Sequence, residues 1–288
     1  MKKRLSKKSI VIVSFIIFLL IVLIVWTVWE NGAIAVSDIT VFDGSVPQSF
    51  DGFRIAHISD LHNAEFGEGN KNLLSKISEQ DPDIIVITGD LVDSSHTDIE
   101  IALDFAGKAV DIAPVYYVTG NHEAHISEYD RLKDGLEALN VTVLDDSSAI
   151  LERGGDKITL LGLADPNFTV KGDMLSEIPA MIYAKLNYLY DESEGFAVLL
   201  SHRPELFDVY AEFGINLILS GHTHGGQFRL PFVGGVVAPN QGLFPKYDAG
   251  LYTSGSSVMI VSRGLGNSII PFRFNNRPEI VMIELRIK

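Results

Sequence analysis

Ile215-Asn216-Leu217-Ile218-Leu219-Ser220-Gly221-His222-Thr223-His224-Gly225-Gly226-Gln227 joins an apolar run to two histidines set between glycines. The run reads as a buried strand. In extended backbone, residues i and i+2 face the same side, so His222 and His224 should point together just past the strand end. Two imidazoles there suit one metal ion or two adjacent ones. The flanking glycines permit a sharp turn and leave room for a substrate. By itself the pair is equally well a polar turn, and the other strand ends decide between the two readings.

Four more polar clusters lie upstream, each after an apolar run. Ser59-Asp60-Leu61-His62 follows residues 53–58 and repeats the i, i+2 spacing. Gly89-Asp90-Leu91-Val92-Asp93 follows residues 83–88, and a carboxylate there bridges two cations through its two oxygens. Gly120-Asn121-His122-Glu123 follows residues 115–118. Its amide oxygen is a neutral ligand, and His122 is a candidate proton donor. Ser201-His202-Arg203-Pro204 follows residues 196–200. Each cluster alone reads as a turn or a helix cap. Together they set Asp60, His62, Asp90, Asn121, His202, His222 and His224 at five strand ends, the edge where open α/β sheets build sites. Those ligands suffice for two ions with one shared bridge.

The intervening segments give the fold class. Helical patterns cover residues 70–78, 98–110 (capped by Thr97 or Asp98), 127–139, 178–190 and 204–213. Short strands are expected at 36–42, 141–143, 149–152, 157–163, 250–253, 257–261 and 279–287. This βαβαβ rhythm is that of an α/β protein. His57 reads as a core histidine, and His96 and His125 as turn residues. Arg203 suits either a phosphate or a neighbouring acid. Arg263 sits in a glycine-rich loop that either faces the site or does not. The apolar loop 228–244 suits packing, substrate or lipid.

Residues 9–29 form an uncharged apolar run long enough to cross a bilayer as a helix. Basic residues precede it, which places residues 1–8 in the cytoplasm and the chain after Trp29 outside. The other reading is a cleaved signal peptide ending at Ala33-Ile34-Ala35, although the run exceeds the usual apolar region of such peptides. The expected organisation is a basic tail (1–8), an anchor (9–29), a tether with a first strand (30–47) and a catalytic domain (48–288). The protein is thus expected in the cell membrane, single-pass, with its domain extracytoplasmic.

The chain has 288 residues, 47% of them hydrophobic, and a net charge of −14. Five of the 23 basic residues but one of the 37 acidic residues fall within the first 30 positions, leaving the remainder at −18. Such a body is unsuited to nonspecific binding of nucleic acid or of anionic lipid surfaces. Bound divalent ions would still let it accept an anionic substrate. The absence of cysteine excludes disulfides, thiolate metal sites and cysteine nucleophiles.

The order DxH, GDxxD, GNHE, H, GHTH from Asp60 to His224 resembles the calcineurin-like metallophosphoesterase superfamily. The stretches 57–62, 200–205, 221–227 and 262–266 with Pro278-Glu279 resemble its bacterial membrane-associated branch, some of whose members act on a UDP-sugar lipid in lipid A synthesis. The protein serine/threonine phosphatase branch fits less well, because it carries arginine where this chain has Ser94. The resemblance implies a sandwich of two mixed sheets flanked by helices. It implies one ion on Asp60, His62, Asp90 and His224, and another on Asp90, Asn121, His202 and His222. Manganese, iron or zinc suits these mixed ligands. It further implies attack of a metal-bridging hydroxide on phosphorus, with His122 as proton donor and Asp93 orienting it. The expected substrate is a phosphodiester or related phosphate ester, from lipid or cell envelope. A pyrophosphatase of UDP-sugar lipids, a phosphomonoesterase and a non-catalytic metal-binding module are the alternatives.

Overall fold

The computed structural model describes residues 6–170, 176–190, 195–267 and 270–288. Lys2, Lys3 and Arg4 of the expected basic tail lie outside the described residues. Lys7–Gly32 forms helix α1, capped by Ser6, whose hydroxyl accepts the Ser9 N–H at 3.1 Å. Its apolar side chains stand exposed along its length, and no part of its apolar window is buried against the rest of the protein. A helix whose apolar window is unburied and meets the domain only at its C-terminal end matches a lipid environment in length and chemistry.

The remaining elements follow the alternation read from the sequence. They are β1 (Ala35–Asp43), β2 (Arg54–Ile58), α2 (Lys71–Ser78), β3 (Ile84–Thr88), α3 (Ile99–Ala109), β4 (Val115–Val118), α4 (Tyr129–Ala138) and β5 (Thr142–Val143). Next come β6 (Ser147–Arg153), β7 (Asp156–Gly162), α5 (Ile178–Leu189), β8 (Ala197–Leu200), α6 (Phe207–Glu212) and β9 (Leu217–Ser220). Two small ribbons follow, β10 (Arg229–Leu230) with β11 (Gly234–Gly235) and β12 (Val237–Ala238) with β13 (Gly242–Leu243). The chain closes with β14 (Gly250–Ser254), β15 (Ser257–Val261) and β16 (Glu279–Ile287). The helix expected at 204–213 opens as a 3₁₀ turn, Pro204–Leu206, before α6.

Two six-stranded sheets result, in the orders β1-β16-β2-β3-β4-β5 and β14-β15-β9-β8-β7-β6. Both are mixed. In the first, β2, β3, β4 and β5 are parallel while β16 opposes β2. In the second, β7, β8, β9 and β15 are parallel while β6 and β14 run against their neighbours. Strand alternation sorts the side chains into layers. Ile55 and Val86 face inward and pack with Val198, Leu217 and Leu219 of the opposite sheet. Ala56, Ile85 and Ile87 face outward onto Leu73, Phe105 and Leu136 of α2, α3 and α4. Leu199 and Ile218 likewise meet Ile182, Leu186 and Phe207 of α5 and α6. The result is a helix–sheet–sheet–helix sandwich.

Residues 30–47 provide little slack. β1 pairs in parallel with β16 from Ala35↔Glu279 to Asp43↔Ile287. Only Ala33 and Ile34 separate it from α1.

His57 is fully buried between the layers, with Nε2 2.8 Å from the Thr88 hydroxyl. Burial lowers its pKa to about 4, against the pull of Asp60 and Glu279. The unfolded chain takes up this proton below about pH 6.5, whereas the folded one waits until about 4. Stability from the neutral ring is therefore complete above pH 6.5 and lost as pH falls to 4, an amount of about 3 kcal/mol. Denaturant titrations of the full chain in detergent should show this loss, and His57→Leu should flatten that part of the profile.

Candidate metal centre

β2, β3 and β4 of one sheet and β8 and β9 of the other end on one edge, and the five polar clusters meet there. The loops interlock through backbone bonds: Asp60 N–H donates to Gly89 O and His62 N–H to Asp90 O, both at 3.0 Å. Extended backbone is not what aims the side chains. Asp60, His62, Asp90, His222 and His224 all have φ between 47° and 69°. This left-handed region is uncommon outside glycine and turns each chain sharply off its strand. The two i, i+2 pairs fare differently. Asp60 and His62 enter one cluster together, whereas His222 and His224 part toward two.

The first cluster joins Asp60, His62, Asp90 and His224. His62 Nε2 lies 3.1 Å from His224 Nε2 and 3.5 Å from Asp90 Oδ2, and His224 Nε2 is 3.3 Å from Asp60 Oδ1. The second joins Asp90, His202 and His222. His202 Nε2 lies 3.2 Å from Asp90 Oδ2, from His222 Nδ1 and from Asn121 Oδ1. Asp90 belongs to both. All these residues are buried except half-buried Asn121.

Protonation follows from the surroundings. His202 Nδ1 lies 2.7 Å from the Thr88 carbonyl, which only accepts, so Nδ1 carries a proton and Nε2 faces the cluster. Burial would raise both carboxyls, but nearby imidazoles outweigh it: His224 and His62 hold Asp60 low, and His202 holds Asp90 low. Burial would lower His202, yet Asp90 carries it up to about 10. Burial lowers His224 to about 3 despite Asp60. Lone pairs this close and this dry repel unless a proton or a cation stands between them. Two carboxylates, four imidazoles and an amide oxygen are donors suited to borderline divalent ions. Burial, spacing and donor chemistry all fit a pair of such ions.

Glycines bring the loops close enough. A Cβ on Gly221 would lie 1.9 Å from Ser59 Oγ and 2.4 Å from Asp60 Oδ2. One on Gly120 would lie 2.3 Å from Asp90 Oδ1.

His122 stands over the first cluster, its ring 4.4 Å from that of His62 and perpendicular to it. Its Nδ1 accepts the Ser94 N–H at 2.9 Å, so the neutral ring carries its proton on Nε2. Asp93, expected to orient His122, lies close by, offering a carboxylate oxygen within 4.8 Å of ligand nitrogens of His62 and His122. Its Oδ1 accepts the N–H groups of Ser95 and His96 and shapes the loop, while Oδ2 lies 3.9 Å from His62 Nδ1. Ser94, the position that departs from the phosphatase branch, is what orients His122.

Other residues fall on one side of their alternatives. Arg203 pairs with Asp165 at 2.5 and 3.0 Å and reaches His222 Nε2 at 3.1 Å. Arg263 pairs with Glu279 at 2.7 Å. His96 and His125 are exposed.

Two contributors carried no signal read from the sequence. Glu123 is fully buried and accepts N–H groups from Asp90, Leu91, Val92 and Gly120, fastening the Asp90 loop to the Asn121 loop. Burial and Asp90 push its pKa up to about 7, against the N–H donors that favour the ionised form. Its place in GNHE was the only available pointer. Arg273, also fully buried, sends Nη1 to Arg263 O and Nη2 to Gly266 O, with Nη2 3.3 Å from His224 Nδ1.

A sandwich with two overlapping carboxylate–imidazole clusters at its strand ends defines a metal-dependent phosphoester hydrolase. The chain belongs to the calcineurin-like phosphoesterase family, whose model matches residues 53–226. It is 32% identical to the metallophosphoesterase YkuE of Bacillus subtilis over 262 residues, covering 89% of this chain and 87% of that one. It is 30% identical to the phosphodiesterase YaeI of Escherichia coli over 244 residues, covering 81% and 82%. Among solved structures it resembles TT1561 of Thermus thermophilus, with a TM-score of 0.50 and 15% identity over 74% of this chain and 90% of that one.

Gly221→Ala should displace Asp60 while leaving the sheets formed. A shift of about 1 Å costs on the order of 10²-fold in rate. Metal analysis, circular dichroism and turnover together should show lost ion and lost activity with unchanged secondary structure.

Proposed function

We propose that Asp60, His62, Asp90 and His224 hold one divalent cation and Asp90, Asn121, His202 and His222 a second. Manganese, iron and zinc suit these ligands. The observation that carries this reading is the sharing of Asp90 by two buried clusters. Such a pair, when bound, supplies an activated water and neutralises charge on the phosphoryl group. The chain's own part is to fix the ligands and to manage a proton. Ser94 holds His122 in the tautomer with Nε2–H free to donate to the phosphoryl or leaving-group oxygen.

The substrate we infer is an amphiphilic phosphodiester. An apolar cavity of about 260 Å³ abuts His224 and is walled by Val237, Ala238, Pro239 and Ile270. A second, of about 440 Å³, takes in Arg203, Glu205 and Asn240. Arg203 and Asn240 both reach His222 Nε2, so this cavity adjoins the other cluster. The reacting phosphorus would sit between an apolar recess and one that sets Arg203, Glu205 and Asn240 beside Pro166, Ile178 and Leu206. Diester chemistry is supported by YaeI, which is named a phosphodiesterase. The length and bareness of α1 support membrane anchoring, and the basic residues before it support an extracytoplasmic domain.

Asp90→Asn should abolish turnover and reduce bound metal, since it removes charge from both clusters. His122→Ala should lower kcat by about 10²–10⁴-fold with both ions retained. An emptied site in His122→Ala would overturn the role given to that residue. Turnover of the full chain in detergent, with defined metals, should favour phosphodiesters with an acyl chain over water-soluble monoesters. The reverse preference would overturn the substrate reading.

A further inference from the structure

Apolar side chains crowd the rim beside His224 with no protein against them. Phe232, Val233, Leu243 and Phe244 are all exposed, Leu243 by 70% and Phe244 by 62%. Phe232 and Phe244 also take left-handed φ values of 66° and 56°. For bulky residues this backbone is unfavourable, and here it turns the rings outward rather than into a core. The ribbons carrying them hang from the GHTHGG turn. Val236 N–H donates to Gly226 O, and Phe244 N–H to Val236 O.

The charge pattern singles out the same region. Residues 228–247 and 262–278 contain no aspartate or glutamate, in a body that as a whole stands at −18. These two segments pack together: Phe228 meets Phe272 at 5.5 Å, and Arg229 N–H donates to Phe274 O. The second segment also grips the end of α1. Asn31 and Arg273 exchange hydrogen bonds of 2.9 and 2.7 Å, and Glu30 accepts the Asn275 N–H at 2.7 Å. Asn275 in turn donates to Arg229 O. Phe232 is three residues beyond Arg229, a reach of about 10 Å from this knot.

We propose that Phe232, Val233, Leu243 and Phe244 form a crest that enters the outer leaflet of the bilayer spanned by α1, seating the rim of the metal centre at the headgroups. This rests on the membrane reading of α1. The occupant is lipid rather than a protein partner because the crest continues, through the 270–277 segment, from the end of an apolar helix. Absence of acidic groups spares it the repulsion that the rest of the body would meet at an anionic surface.

The chain contains no cysteine, so single cysteines report cleanly. Phe232→Cys, Phe244→Cys, Phe18→Cys in α1 and Glu152→Cys would each carry a fluorophore on the full chain in lipid nanodiscs. Glu152 precedes β7 and so lies at the sheet edge opposite the site. Labels at 18, 232 and 244 should be quenched by nitroxide on acyl chains and spared by aqueous iodide, and the label at 152 should show the reverse. Quenching at 18 with iodide access at 232 and 244 would overturn the crest and leave the anchor standing. No lipid quenching at 18 would overturn both. Shielding of 232 and 244 from both quenchers, with cross-linking between copies, would assign the crest to self-association and overturn the proposal. None of these readouts needs turnover, so failure of the hydrolase reading would be seen separately.

Discussion

Asp90 sits on the seam between the two sheets. One oxygen faces His62 from its own sheet at 3.5 Å and His202 from the other at 3.2 Å. His202 reaches back to the Thr88 carbonyl at the end of β3, and the His222 N–H reaches the Asp60 carboxylate at 3.1 Å. The sheets are thus stitched along one edge by the candidate ligands themselves. The apolar layer between them, from Ile55 and Val86 to Leu217 and Leu219, has to set their separation to within a hydrogen-bond length. Packing and site geometry are one constraint here, because a ligand displaced by an ångström no longer shares its ion.

That edge is built at some energetic cost. Five of the seven ligand-type residues occupy left-handed backbone, a conformation that persists only where surroundings over-determine it. The Glu123 carboxylate, the carbonyls of Gly89 and Asp90 and the close approach at Gly221 supply that determination. Glu123, Gly89 and Gly221 add nothing to the donor set; their work is to make an unfavourable turn the only available one.

The sequence was informative where physics is local. Strand ends were legible because apolar runs stop at abrupt polar tetrapeptides, and βαβ order makes successive strands share an edge. The seven candidate donors that the structure gathers at one edge were readable on those grounds. Backbone handedness was not, because nothing in Asp-Leu-His or His-Thr-His marks a left-handed residue. Ser94 was hidden for a different reason: its contribution is a main-chain N–H, which every residue but proline possesses. Arg273 and the β1–β16 pairing depend on partners more than two hundred positions away, as with Asn31 and Arg273. Asp93 was read as orienting His122 because a carboxylate near a histidine is a common arrangement, and its loop-capping bonds could be found only in three dimensions.

The junction of α1 with the sheet has a mechanical meaning. Two residues and a knot of bonds from Glu30, Asn31 and Arg277 join helix to domain. Rotation about the helix axis is therefore transmitted to the catalytic edge without a swivel. The enzyme behaves like a blade fixed to its handle, and which way the blade faces is settled when the chain folds.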